Sequence, residues 1–300
     1  MSRNTGRLQG SQRPSDRVFE CLPPPAVARL STSLLNVSRT SHRRRLRLLA
    51  RVMVIVLGIA LLKLLAHQFG LEVITVNPLF SALVASTVFL LGFLLNGVLS
   101  DFKESEKLPG ELASALEALS LEIRGIPAHH PDAEVGVHLE AVADLSQGLL
   151  AWVRQRLSTA DLMHLYHRCH AAAVGAAVLL RGESTLQGRM MQEMAAILRC
   201  INRIETIRET SFVPLVYWLA YAGAALLCGG LVLMRSDSIR ESIFFIFVIA
   251  FLLIFLLNLI SDIDNPFGFS DPDSAEDVSL VVHSSAAARL QLLAAADRLP

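Results

Sequence analysis

Enzyme signatures are missing from this sequence. It holds no Walker loop, no G-x-G-x-x-G, no G-x-S-x-G and no H-E-x-x-H, so the chemistries built on those frames have no foothold. Cysteine is scarce: Cys21, Cys169, Cys200 and Cys228 form no C-x-x-C pair. Their neighbourhoods read as cytosolic or intramembrane, which implies free thiols and no disulfides. Charge is thin as well. Asp, Glu, Lys and Arg make up 18% of the 300 residues, against about 25% in ordinary soluble domains. No strand pattern and no internal repeat stands out. These gaps point away from an enzyme, and no cofactor, metal or nucleic-acid partner is expected.

What is present is hydrophobic and clustered. Apolar residues make up 53% of the chain. A bilayer core about 30 Å thick needs about 20 apolar helical residues to cross it. Four stretches meet or approach that length. The first runs from about Leu46 to Leu71 and is interrupted by Arg51 and Lys63, which either snorkel or face neighbouring helices. The second, Val73 to Ser100, carries no charge, and Pro78 suits its first turn. The third runs from Thr210 to Met234 and the fourth from Ser242 to Ser261. A single buried core helix can be this apolar, but four such segments in two close pairs indicate a membrane protein.

Formal charge sums to zero but is unevenly placed. The first 51 residues hold eleven arginines and no lysine, against only Asp16 and Glu20. The positive-inside rule places this end in the cytoplasm. An even number of spans then puts the middle stretch and the C-terminal tail on the same side. The expected divisions are 1–45, a basic and disordered tail; 46–100, two spans; 101–209, a helical cytoplasmic domain; 210–261, two more spans; and 262–300, a cytoplasmic tail. The run Pro23-Pro24-Pro25 and the shortage of acids also fit a transit peptide, which would place the chain in an organellar membrane. A secretory signal peptide is not expected, because the apolar stretch starts too late.

The middle stretch reads as helical. Leu112, Leu116, Leu119 and Ile123 recur at three or four residues, as do Met190, Met194, Ile197, Ile201, Ile204 and Ile207. Breaks at Gly125 to Pro131 and around Gly182 predict helices near 104–124, 133–157, 159–181 and 185–209. Here His164, His167, Cys169 and His170 invite a metal reading. Two histidines three apart share a face, but all three do not, so a polar helix face is the plainer account.

Two further features carry chemistry. Ala85, Phe89 and Phe93 are spaced by four, forming a stripe of one small residue and two rings, and the polar Asn96 follows inside the membrane. Ordinary packing against neighbouring helices explains such a stripe when it is taken alone. After the fourth span comes Asp264-Asn265-Pro266-Phe267-Gly268, a turn-rich segment leading into the acids Asp271, Asp273, Glu276 and Asp277. Its oxygens suggest Ca²⁺, but the run is not an EF-hand loop.

Together these pieces resemble the bestrophin family of ion channels. Asp264-Asn265-Pro266-Phe267-Gly268 is similar to the N-P-F-G segment that follows the last span in that family. Phe212-Val213-Pro214-Leu215-Val216-Tyr217 is similar to its I-P-L-V-Y entry, preceded by Leu186-Gln187 and Glu193-Met194. Gly92-Phe93, Asn96, Glu104 and Lys107-Leu108 track its second helix. The likeness covers about residues 46–292. It departs at Leu94 and at Leu99-Ser100-Asp101, where many members carry arginine and a Tyr-x-Arg. The acidic run of the eukaryotic members is interrupted here by Phe269, Ser270 and Pro272, which argues against Ca²⁺ gating.

The resemblance implies an all-α membrane protein of four transmembrane helices with a helical cytoplasmic domain. It implies a homopentamer around a central pore, in a bacterial inner membrane, passing small inorganic ions, with chloride-like anions expected. Phe89 and Phe93, with Ala85, fall where the family places its narrow neck, and Asn96 is a polar pore residue. Ring edges turned toward the axis favour weakly hydrated anions. The competing expectation is a non-conducting, membrane-anchored scaffold whose cytoplasmic domain binds a partner.

Overall fold

The computed structural model describes residues 24–75, 77–180, 182–209, 214–236, 238–269 and 277–297, with side chains from Leu46 onward. Eight α-helices span the described residues: α1 Pro24–Gln68, α2 Pro78–His129, α3 Gly136–Val153, α4 Thr159–Leu179, α5 Ser184–Glu209, α6 Pro214–Leu233, α7 Ile239–Ile263 and α8 Val281–Ala296. Four of them are long and apolar enough to cross a membrane: α1 from Leu46, α2, α6 and α7.

Several expected boundaries move. α1 begins at Pro24, so residues 24–45 are helical where an unstructured tail is expected; residues 1–23 lie outside the described residues. The reason is local. Proline opens a helix well, and after Pro25 no Gly or Pro follows until Gly58. α2 does not stop at Ser100. It continues as one helix of 52 residues, absorbing the separate element expected at 104–124 and running through Gly125 to His129. Pro109 removes one rung of this helix without ending it. Leu108, Leu112, Leu116 and Leu119 bury on one side across that point, and packing outweighs propensity. The helix expected over 133–157 shortens to 136–153, closing where Arg154 N–H donates to the Leu150 carbonyl at 3.2 Å. The expected tail contains an unanticipated helix, α8.

Two packed bodies result, both threaded by α2. In the apolar body, Leu91, Leu94 and Val98 of α2 meet Ala220, Ala224, Leu227 and Leu231 of α6, with Ile246, Leu253, Leu257 and Ile260 of α7. Val52 and Val56 pack α1 against Ala250 of α7. The second body is the helical domain. Its core joins the leucine face of α2 to Leu145, Leu149 and Trp152 of α3, Leu162 and Tyr166 of α4, and Met190, Met194, Ile197 and Ile201 of α5. α3 and α4 approach closely at Gly148, where an added Cβ would lie 2.3 Å from Leu165 Cδ1. α8 folds back onto this core with Ala287, Leu290 and Ala294. Full burial of each large side chain contributes about 1.5–3 kcal/mol.

At the far end of the spans the two short loops are tied together. Ile74 and Met234 form an isolated parallel bridge. Ile74 N–H donates to the Leu233 carbonyl at 3.1 Å, and Arg235 N–H to the Ile74 carbonyl at 2.7 Å. Lys63, fully buried, donates to the Met234 carbonyl and pairs with Glu72 at 2.7 Å.

Candidate functional site

α2 positions the stripe. It starts cleanly because Pro78 follows Asn77, whose side-chain oxygen accepts from Phe80 N–H at 2.8 Å. From there the helix presents two unlike faces. Leu91, Leu94 and Val98 turn into the apolar body and are buried. Ala85, Phe89, Phe93 and Asn96 turn away from it and are exposed. Phe89 is 77% exposed and Phe93 61%. The stripe is therefore not part of this chain's own packing. It lies against lipid, another copy or a central space. Asn96 adds a constraint, since it makes no side-chain hydrogen bond to any other described residue. An amide at that depth needs water or a partner from outside the chain.

The exposed face continues below the apolar span. Ser100, Lys103, Lys107, Glu111 and Ser114 are all exposed and follow the same three-or-four spacing. Because α2 does not break, the face that carries the rings also carries these polar groups.

Asp264 to Gly268 are not brought to that face. Asp264 caps α7, its N–H donating to the Ile260 carbonyl at 3.1 Å. Gly268 N–H closes a turn on the Asn265 carbonyl at 3.1 Å, and a Cβ there would sit 3.0 Å from the Asn265 side-chain amide. Pro266 offers its carbonyl to Val278 N–H at 3.0 Å, and Phe267 is completely buried in the core of the helical domain. The segment thus pins the end of the last span to that domain. Of the acids that follow, Asp271, Asp273 and Glu276 lie outside the described residues, as do Phe212 and Val213 at the entry to α6.

Beside this pin is an ion pair that sequence reading missed. Arg203 of α5 grips Glu104 of α2 through both nitrogens, Nε to Oε1 at 2.8 Å and Nη2 to Oε2 at 2.5 Å. The Arg203 hydrogen bonds hold the Glu104 carboxyl below the usual carboxylate range, against the opposing pull of burial. Arg203 also lines a cavity of about 100 Å³ with Asp101, Thr206, Ile207, Asp264 and Pro266. Glu104 is one of the residues that carry the family resemblance, but nothing in the sequence pairs it with an arginine about a hundred residues away. Lys63 and Glu72 were likewise legible only as charges in awkward places.

The α4 cluster separates. Cys169 is buried against Met194 Sδ at 4.0 Å, and burial raises its thiol to about 12. His164, His167 and His170 lie on the outer side of the helix. Among the described residues no group of three His, Cys, Asp or Glu is placed to hold a metal.

Comparison with known proteins gives the following. The family model described as the Bestrophin-like domain matches residues 48–268. The fold is similar to the crystal structure of a bacterial bestrophin homologue from Klebsiella pneumoniae, at a TM-score of 0.65 and 17% identity, covering 82% of this chain and 97% of that one. A single-substitution variant of the same homologue matches at 0.65 and 17%, covering 83% and 98%. A structure described only as a membrane protein with a proline-to-alanine substitution matches at 0.65 and 18%, covering 83% and 98%. No curated protein matches the chain.

Proposed function

Because this chain belongs to the Bestrophin-like family, we propose that it is a homopentameric channel through which small inorganic ions, chiefly anions such as chloride, pass down their gradient. The observation that carries this reading is the face of α2. Phe89 and Phe93 are large apolar side chains with no packing partner of their own, one turn apart, in line with an unpartnered Asn96. Lipid would accept the two rings but not the amide. A wet axis shared by several copies accepts all three. On such an axis each position becomes a ring. Two rings of phenylalanine make a narrow apolar neck that resists wetting, and their positive edges favour anions over cations.

In this reading no covalent step occurs, and the chain's work is positional. The buried leucines of α2 fix its rotation, so that the phenylalanines cannot turn back into the bundle. The Asp264–Gly268 pin and the Glu104–Arg203 pair hold the membrane bundle and the helical domain in one register. Both termini and the helical domain lie in the cytoplasm.

The test is recording from purified protein in planar bilayers under a salt gradient. The reversal potential should sit toward the anion equilibrium potential. Phe89→Ala and Phe93→Ala should each raise conductance and shift selectivity, while gel filtration shows intact assembly. If the rings were instead packed between copies, truncation would leave a cavity costing about 3–5 kcal/mol and the assembly would weaken. Unchanged conductance with lost assembly would overturn the pore reading and favour a scaffold.

A further inference from the structure

Lysine is rare in this chain. Of 27 basic residues, three are lysines, Lys63, Lys103 and Lys107. Lys63 is buried at the outer end of α1. The other two stand one turn apart on the exposed stripe of α2, below the rings. At 1.5 Å per residue, Lys103 lies about 15 Å beyond Phe93 along the helix and Lys107 about 21 Å. Neither is in an ion pair with any described residue.

The acids of this region are drawn aside or answered. Glu104 is held by both nitrogens of Arg203, on the flank of α2 that faces α5. Asp101 lies in the cavity on that same flank, with Arg203. Glu106 projects from the opposite flank, well off the stripe. Glu111 shares the face but comes a full turn further from the neck, within 3.8 Å of Cys200 Sγ. Glu104, Lys107 and Glu111 line one open groove of about 820 Å³ between α2 and α5, with Glu193, Arg199 and Arg203 beside them. Of the charged side chains on the stripe itself, Lys103 comes first beyond the rings and Lys107 one turn later, where its charge also helps hold the Glu104 carboxyl low.

We propose that Lys103 and Lys107 form fixed positive rings at the inner mouth of the neck, concentrating anions there and setting the anion preference of current drawn from the cytoplasmic side. The inference rests on the reading that α2 faces a shared central path. Charge lining a low-dielectric passage raises the local counter-ion concentration, and salt screens the effect. The screening length is about 10 Å at 0.1 M and about 3 Å at 1 M, so at about 15 Å from Phe93 part of the Lys103 field survives at the neck in the first condition and essentially none in the second.

The experiment is bilayer recording of wild type, K103Q/K107Q and K103R/K107R at both salt concentrations. With the glutamines, anion current from the cytoplasmic side should fall roughly threefold at about 0.1 M and match wild type at about 1 M. The arginine variant should behave as wild type at both. An assembled K103Q/K107Q channel with wild-type current and reversal potential at low salt would overturn the proposal and leave the pore reading standing. Should the glutamine variant not assemble, wild type decides. Its low-salt conductance should exceed a straight-line extrapolation from high salt, and strict proportionality would overturn the proposal. A wild type that passes no anion current at either salt would overturn the channel reading, and this proposal with it.

Discussion

Lys63 shows how one side chain can join two loops. Its ammonium is fully buried, with the Glu72 carboxylate at 2.7 Å and the Met234 carbonyl as a second acceptor. Hydrogen bonding from Lys63, more than any other cause, holds Glu72 below its usual value. The arrangement is stable as a pair and costly as a single. Glu72→Gln alone should lower stability by about 3–5 kcal/mol, because it leaves a buried ammonium with only a carbonyl acceptor, and Lys63→Met alone by less, because His67 Nδ1 still lies 3.2 Å from the Glu72 carboxylate. The double substitution should recover most of that loss. Thermal unfolding in mild detergent, followed through the four variants of the cycle, reads the coupling directly. Equal and additive losses would mean that the two groups do not support each other. Glu72 also sets an acid limit. A carboxylate with a depressed folded value contributes stability that is full above about 4.5 and is lost as pH falls below it. From sequence this lysine was only an interruption in an apolar run. Whether it snorkels or is sequestered depends on a loop from the other half of the chain, which no local pattern encodes. The ring stripe was legible, because a spacing of four on an apolar helix states which residues share a face whatever surrounds them.

At the scale of elements, α8 and α2 were misread for different reasons. α8 follows an acidic, Pro- and Gly-containing segment and is rich in alanine, so it shows no strong apolar side from which to infer docking. Its place is fixed by Leu290 and by His283, which is buried with Nε2 3.2 Å from the Ser146 carbonyl and the Pro109 backbone also acting on the ring. Nδ1 has no partner. Burial pushes His283 below the ordinary imidazole value of 6.5. The undocked helix therefore takes up a proton first as pH falls, and docking is full above about 6.5 and weakens below it until the docked form also protonates. Amide exchange over residues 286–294, corrected for its intrinsic rate, should be faster at about pH 5.5 than at about pH 7.5. His283→Gln should remove that difference, and a difference that survives the substitution would place its origin elsewhere. α2 was divided at Ser100 because its letters turn from apolar to polar there. That change marks a change of solvent and not of backbone: Lys, Glu, Leu and Ala continue a helix as readily as they begin one.

For the molecule as a whole, the large exposed apolar faces imply that the single chain is incomplete. Lipid covers some of them, and in the channel reading proposed above the α2 stripe is closed by further copies. Native mass spectrometry in mild detergent should give five chains. A folded monomer or dimer as the only species would remove both the pentamer and the shared axis. The separation of an apolar helical bundle from a second helical body was readable from composition, since a run of apolar residues has few places to go. The way the two regions are fastened was not. Phe267 in the helical domain, Pro266 bonded to Val278, and Glu104 in the grip of Arg203 are all long-range meetings.

In mechanical terms α2 is a shaft. Its 52 residues extend about 78 Å, built into the apolar bundle at one end and the helical domain at the other. Torsion applied to the lower half is carried up the helix and resisted at Leu91, Leu94 and Val98, whose packing fixes the rotation of the rings. Bending is another matter. Pro109 lacks the donor that would brace it to the preceding turn, and it sits about 24 Å beyond Phe93. The shaft is weakest in bend at Pro109, with Pro127 a second such point two residues from its end, so a tilt of the helical domain is taken up well below the phenylalanines.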